Sequence, residues 1–236
     1  MRRPLKRIIF TPLLCGLMSV SFAQSYPVKP IRLIVGFSAG GSADTSARMF
    51  AKRMCELMKT TFVVENRGGA GGSYATHIAA DSNADGYTLL WGNVGPLTVN
   101  PALGMKLGYD VDRDFAPVGL TMTFANALIA RSDFPANSLA GVMALAKEKP
   151  GQLNYAMQGV ANYDATFWYA LLTQAKVPAA VVARFNREMQ TALSEPDIVS
   201  ALEAQGLIAA PSSPENLRGI MRADFAKWKS VLASNR

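Results

Sequence analysis

Ile31-Arg32-Leu33-Ile34-Val35, then Gly36-Phe37-Ser38-Ala39-Gly40-Gly41, then Ser42-Ala43-Asp44-Thr45-Ser46-Ala47, is the stretch that decides the fold. Its first five residues form an apolar, β-branched run that predicts a buried strand. The glycine-rich stretch breaks that run. From Ser42 to Met58 the residues Ala43, Ala47, Phe50, Ala51, Met54 and Leu57 fall on one helical face, predicting a half-buried helix. Residues 61–65 predict a second strand, Gly68-Gly69-Ala70-Gly71-Gly72 a second glycine turn, and residues 74–80 a short helix. After Asp85-Gly86, residues 87–91 predict a third strand. Strand, glycine turn, helix, strand is the βαβ rhythm of a parallel sheet, so the fold class is α/β.

The pattern thins outward from there. Residues 117–122 and 127–131 predict strands, 138–149 a helix, and 153–156 another strand. The remainder is helical over 178–193, 197–205 and 214–232. The last helix has a well-marked start, with Ser213 as N-cap, Pro214 at the first position and Glu215 in the first turn.

At the other end, Met1 to Arg7 is basic, residues 8–20 are apolar, and Ser21-Phe22-Ala23 places small residues at −3 and −1. This three-part pattern predicts a cleavable export signal over residues 1–23, cut after Ala23. The apolar stretch is short for a bilayer span. Leu14 stands before Cys15 where lipidation would want a small residue. Arg2, Arg3, Lys6 and Arg7 account for four units of the formal charge of +7, leaving +3 for the rest of the chain. With no basic run interleaved with aromatics, nucleic acid is not an expected partner. Only Cys55 remains beyond the signal, so no intramolecular disulfide can form there.

Several chemistries fail on the residues they need. Gly36-Phe37-Ser38-Ala39-Gly40 matches the G-x-S-x-G nucleophile elbow and sits between a strand and a helix. A hydrolase triad needs a histidine, however, and the single one, His77, comes on the next helix instead of late in the chain. No earlier strand precedes the one leading into the elbow, so none supplies an oxyanion loop. No glycine turn ends in Gly-Lys-Ser/Thr, and the spacing of Gly36, Gly40 and Gly41 is not that of a dinucleotide fold. One histidine and one cysteine cannot build the common zinc sites, so neither metal nor cofactor is expected. Two glycine turns at the carboxyl ends of adjacent strands instead bring bare backbone N–H groups to a crevice. The positive end of the helix after Gly41 points the same way, which suits an anion. Tight strand-to-helix connections would use the same glycines. Asp44, in the first turn of that helix, fits a capping role best.

These residues resemble a known family. Tyr26-Pro27-Val28-Lys29-Pro30-Ile31-Arg32-Leu33-Ile34-Val35, Phe37 and Gly40-Gly41-Ser42-Ala43-Asp44 look like the start of Bug-type receptors, the extracytoplasmic solute-binding proteins of tripartite tricarboxylate transporters. Val63-Val64-Glu65-Asn66-Arg67, Gly69-Ala70-Gly71-Gly72, Asp85-Gly86-Tyr87-Thr88-Leu89-Leu90, Asn100-Pro101 and Asp114-Phe115-Ala116-Pro117-Val118 continue the likeness. Pro150-Gly151-Gln152-Leu153-Asn154-Tyr155-Ala156 and Ala204-Gln205-Gly206 extend it toward the end. The resemblance implies a non-enzymatic, two-lobed fold of the type II periplasmic-binding-protein kind, a Venus flytrap closing on a small carboxylate. It implies a monomer working with the membrane components of a tripartite transporter. Carried over by position, the ligand-binding residues are Phe37, Ser38, Ala39, Gly40, Gly41, Asp44, Gly72, Ser73, Asn93 and Val94. Family ligands include dicarboxylates, tricarboxylates, acidic amino acids and some aromatic acids, and the sequence selects none of them. The family often carries proline at the place of Ser38 or Ala39.

The main departure follows Ala156. Met157-Gln158-Gly159 runs almost directly into Val160-Ala161-Asn162-Tyr163-Asp164-Ala165-Thr166-Phe167-Trp168, which resembles a much later family segment. The resemblance thus implies that roughly 80 to 90 residues, about a small domain, are missing from the second lobe. The expected division is a first lobe of residues 24–116 plus 163–236 and a remnant of the second over 117–162. A piece of about 40 residues rarely holds a core of its own without disulfide or metal. The resulting expectation is a receptor impaired in closing. A secreted hydrolase using Ser38, or a fragment that binds a partner protein, are the other readings.

Overall fold

The computed structural model describes residues 26–125, 130–153 and 167–234. The segment expected to direct export, residues 1–23, lies outside them. So do most of the strands expected at 127–131 and 153–156.

Six strands form one sheet: β1 (Ile31–Val35), β2 (Phe62–Asn66), β3 (Thr88–Asn93), β4 (Phe115–Phe124), β5 (Phe167–Gln174) and β6 (Leu207–Ala209), in the order β2-β1-β3-β5-β4-β6. The helices are α1 (Ser42–Met58), α2 (Ser73–Ala80), the short turns α3 (Asn100–Ala102) and α4 (Val111–Asp114), α5 (Leu139–Glu148), α6 (Ala179–Leu193), α7 (Pro196–Glu203) and α8 (Pro214–Ser234). The expected βαβ half is present: β1 pairs in parallel with both β2 and β3. The other half corrects the expectation of a parallel sheet. β5 runs antiparallel to β3, and β4 antiparallel to both β5 and β6.

Alternation along the strands explains the layers. Leu33 and Val35, with Leu89 and Trp91, bury against Phe50 and Met54 of α1 and Phe185 and Met189 of α6. The intervening Ile34 and Leu90, with Ala170 and Leu172, bury against Ala75 and Ala79 of α2 and Leu217 and Met221 of α8. A sheet covered on both faces needs this period of two with both sets apolar. Trp168 locks α8 to the sheet by donating its indole N–H to Asp224 Oδ2 at 2.7 Å.

Residues 117–122, assigned from sequence to the smaller lobe, lie inside this sheet. Pro117, Val118, Gly119, Leu120, Thr121 and Met122 are all buried between β5, β6 and the helices. The sheet therefore extends to Phe124 before the chain leaves it. Because β4 leaves and β5 returns at the same end of the sheet, the two must be antiparallel. That end is also where β1 and β3 finish, since Asn93 is in register with Tyr169. Between β4 and β5 the described residues form one helix, α5, capped by Ser138 and with no buried residue. Neither core draws a side chain from it.

Gly119 lets β4 pass beneath α6. A Cβ there would stand 2.5 Å from the Ser212 carbonyl oxygen and 3.0 Å from Asn186 Nδ2, and would strike Met189. Backbone cannot yield as a side chain can, so Gly119→Ala is expected to cost about 1–3 kcal/mol in urea unfolding. An unchanged midpoint would contradict this packing.

Candidate functional site

Three loops meet at the carboxyl ends of β1, β2 and β3. The first joins β1 to α1 (residues 36–41), the second joins β2 to α2 (residues 67–72), and the third is the end of β3 at Asn93 and Val94, leading into a π-helical turn, Gly95–Val99. Their approach depends on missing side chains. A Cβ on Gly36 would lie 2.8 Å from Gly72 Cα, and one on Gly72 would lie 3.3 Å from Asn93 Oδ1 and 3.4 Å from Pro96 Cγ. Gly72 also has φ +97, a conformation open to glycine. Ala70, beside it, holds φ +48 without that freedom, a strained backbone that the surrounding loop must sustain.

Polar side chains hold the first loop in shape. Asp44 Oδ2 accepts from the Gly40 N–H at 2.8 Å, and its Oδ1 accepts from Asn66 Nδ2 at 2.9 Å. The same Asn66 nitrogen donates to the Phe37 carbonyl at 3.0 Å. Arg48 closes the ring, pairing with Asp44 at 2.9 Å and donating to Asn66 Oδ1 at 2.9 Å. Burial alone would raise the Asp44 pKa. The hydrogen bonds from Arg48, Gly40 and Asn66 outweigh that and hold the carboxyl below its ordinary range. The second loop is braced by Asn100, whose Nδ2 donates to Ser73 Oγ at 2.9 Å.

This geometry sorts the residues named from sequence. Phe37 is half-buried, and Ser38, Ala39, Gly40 and Gly41 are exposed on the crevice side of the loop. Among the described residues the N–H groups of Ser38, Ala39 and Gly41 make no hydrogen bond within the protein, whereas that of Gly40 is taken by Asp44. Gly72 and Asn93 border the same space. Asp44, Ser73 and Val94 are buried, and the first two are occupied in bracing. They position the loops and present no free group. His77 lies in the last turn of α2, 3.4 Å from Asp81, and makes no hydrogen bond to Ser38. Sequence reasoning missed Asn66 as a tie, although Glu65-Asn66-Arg67 was in view. It also missed the contact of Ser42 Oγ with the Tyr169 hydroxyl at 3.1 Å, which crosses 127 residues of sequence. Burial pushes the Tyr169 phenol pKa up, and the Ser42 hydrogen bond only partly opposes this.

Known proteins resemble this chain in sequence and in fold. The family described as "Tripartite tricarboxylate transporter family receptor" matches residues 46–162. Protein BugT of Bordetella pertussis is 34% identical over 301 aligned positions, which take in 92% of this chain and 92% of that protein. Since 92% of 236 residues is about 217, about 84 of the 301 positions have no residue here. Among solved structures, the Rhodopseudomonas palustris protein Rpa4515 with adipate superposes with a TM-score of 0.81 at 21% identity, covering 87% of this chain and 97% of that one. MatC (Rpa3494) from the same organism, with bound malate, gives 0.76 at 20% identity, covering 87% and 99%. At such identities the structures speak for the fold alone.

The Asp44 network carries a pH signature. Its native pKa is depressed from an unfolded value of about 3.9, so its stabilisation is complete above about pH 5 and fades as pH falls through the native value. Asp44→Asn is expected to lose about 1.5–3 kcal/mol at pH 7. The difference from the unaltered protein should shrink below about pH 4. Urea unfolding from pH 7 down to 3 checks this, and a constant difference would contradict it.

Proposed function

The chain belongs to the tripartite tricarboxylate transporter receptor family, and from that premise we propose that it is a periplasmic receptor that captures a small organic carboxylate with its glycine loops, without chemistry, while its second lobe is shortened. The observation that carries this reading is the set of unused N–H groups at Ser38, Ala39 and Gly41, held in place by Asp44 and Asn66 at the start of α1. A carboxylate accepts hydrogen bonds from such donors, and the helix start adds a favourable field. Phe37, Ser38, Ala39, Gly40, Gly41, Gly72 and Asn93 line the ligand in this reading. Asp44, Ser73 and Val94 keep them in position. Small dicarboxylates of the kind named with Rpa4515 and MatC are the first candidates.

Shortening of the second lobe is supported by the roughly 84 unmatched positions in the BugT alignment and by α5, which buries no residue. On this reading the lobe comprises the residues between Phe124 and Phe167. Such a lobe cannot cover a ligand as a full one does, so closure contributes less and the ligand leaves faster. Delivery to membrane components of a tripartite transporter, monomeric behaviour, and export through the segment 1–23 belong to the same proposal. The basic, apolar and small-residue order of that segment supports export.

Thermal unfolding of residues 24–236 with malate, adipate, citrate and glutamate tests the reading. A ligand at a hundredfold excess over its Kd stabilises by about 2.7 kcal/mol. For a chain of this size that is a rise in Tm of about 5–10 °C. Gly36→Ala, which separates the first two loops, is expected to unfold cooperatively at a lower temperature and to lose the response. A folded protein indifferent to every carboxylate would refute the proposal.

A further inference from the structure

α8 carries two stripes of opposite character. Leu217 and Met221 are buried, Ile220 packs against the same core, and Asp224 receives the Trp168 indole. Arg218, Arg222, Phe225 and Lys229 recur at helical spacing along a second line, clear of the first. Arg222, Phe225 and Lys229 are exposed, and Arg218 is half-buried. α3 packs against α8, and the chain leaving it exposes Leu103, Met105 and Lys106 on the same layer before Gly108 reaches the His77 ring of α2. Among the described residues Lys106, Arg218, Arg222 and Lys229 form no ion pair. On the opposite layer Arg48, Arg53 and Arg187 each hold a carboxylate. The acids near α8 do little to offset its cations. Asp224 is taken by Trp168, Asp81 lies beside His77 and Asp114 holds Arg113, which leaves Glu215 at the start of α8 and Asp112 on α4.

We propose that this side of the α2–α8 layer is a docking surface for a bilayer with anionic headgroups, on which the protein rests reversibly. The inference extends the receptor reading above and does not use its carboxylate site. Unpaired cations answer phosphate headgroups, and each one brought to an anionic surface is worth about fivefold in partitioning. Phe225, exposed to 38%, stands between Arg222 and Lys229, and Leu103 and Met105 are exposed to 46% and 49%. Apolar tips set among Lys and Arg are the composition with which helices lie in a headgroup layer. An acidic protein is the poorer match, because interfaces between proteins are depleted in lysine and gather their apolar side chains in one buried centre. For a receptor that serves a transporter, such docking confines the search for it to the membrane plane.

Flotation of residues 24–236 with phosphatidylcholine vesicles, with and without about one-third phosphatidylglycerol, provides the test. Binding is expected only with the anionic lipid, and to fall at least about tenfold between about 0.05 and 0.5 M salt. Arg222→Gln with Lys229→Gln should weaken it about twenty-five-fold. Lys52→Gln, at an exposed position of α1 on the opposite layer, should leave it within about twofold. If Lys52→Gln costs as much as either α8 exchange, net charge alone attracts the protein and the inference is overturned. Absence of binding to anionic vesicles at low salt overturns it as well, and is the result that an acidic protein partner predicts. Should the double variant not fold, the single exchanges, each expected to cost about fivefold, decide in its place. The thermal response to carboxylates separates this inference from the receptor reading. A protein that responds but does not float refutes the docking surface alone, and one that floats but ignores every carboxylate refutes the receptor reading alone.

Discussion

A side chain on Gly36 would run into the backbone of Gly72, and the crevice depends on this close approach of the two glycine loops. It brings the loops after β1 and β2 to one place and allows Asn93, at the end of β3, to complete the border. Hydrogen bonding then finishes what the close packing begins. Asp44 and Asn66 fix the loop after β1 from beneath, so its outward N–H groups are presented without needing partners of their own. Preorganised donors of this kind bind an anion without the conformational cost of ordering a flexible loop.

The sheet joins this crevice to the segment between β4 and β5. β4 leaves and β5 returns at the end where the glycine loops lie, so the segment between those strands departs from and comes back to that end of the sheet. In this protein α5 is the described helix of that segment, and it places no side chain in either core. The two-layered core does not need it. Both layers are complete across β1 to β6 without it.

Much of this was legible in the sequence where local pattern and local chemistry coincide. The strand over 31–35, the helix over 42–58 and both glycine turns follow from period and punctuation. The candidate loop residues follow from those turns together with the family resemblance. Residues 117–122 were read as a strand, but their place in the main sheet was hidden because an apolar run announces a strand and not its neighbours. Its antiparallel place between β5 and β6 is set by partners tens of residues away. The ties of Asn66 to Phe37 and of Tyr169 to Ser42 were hidden for the same reason. Phe124 and Phe167 become neighbours only when the chain returns. A local role for Asp44 was legible, because a carboxylate in the first helical turn acts within four residues of itself, but its bond goes to the Gly40 N–H ahead of the helix and not to a helical N–H.

Amide chemical-shift mapping by NMR is the most direct test of the central claim that the glycine loops hold the ligand. With adipate added to residues 24–236, the account predicts saturable shifts at the amides of Ser38, Ala39, Gly41 and Gly72, with the Gly40 amide, already bound to Asp44, moving less. Shifts confined to the opposite end of the sheet, around Lys29, Asp85 and Tyr87, would contradict it.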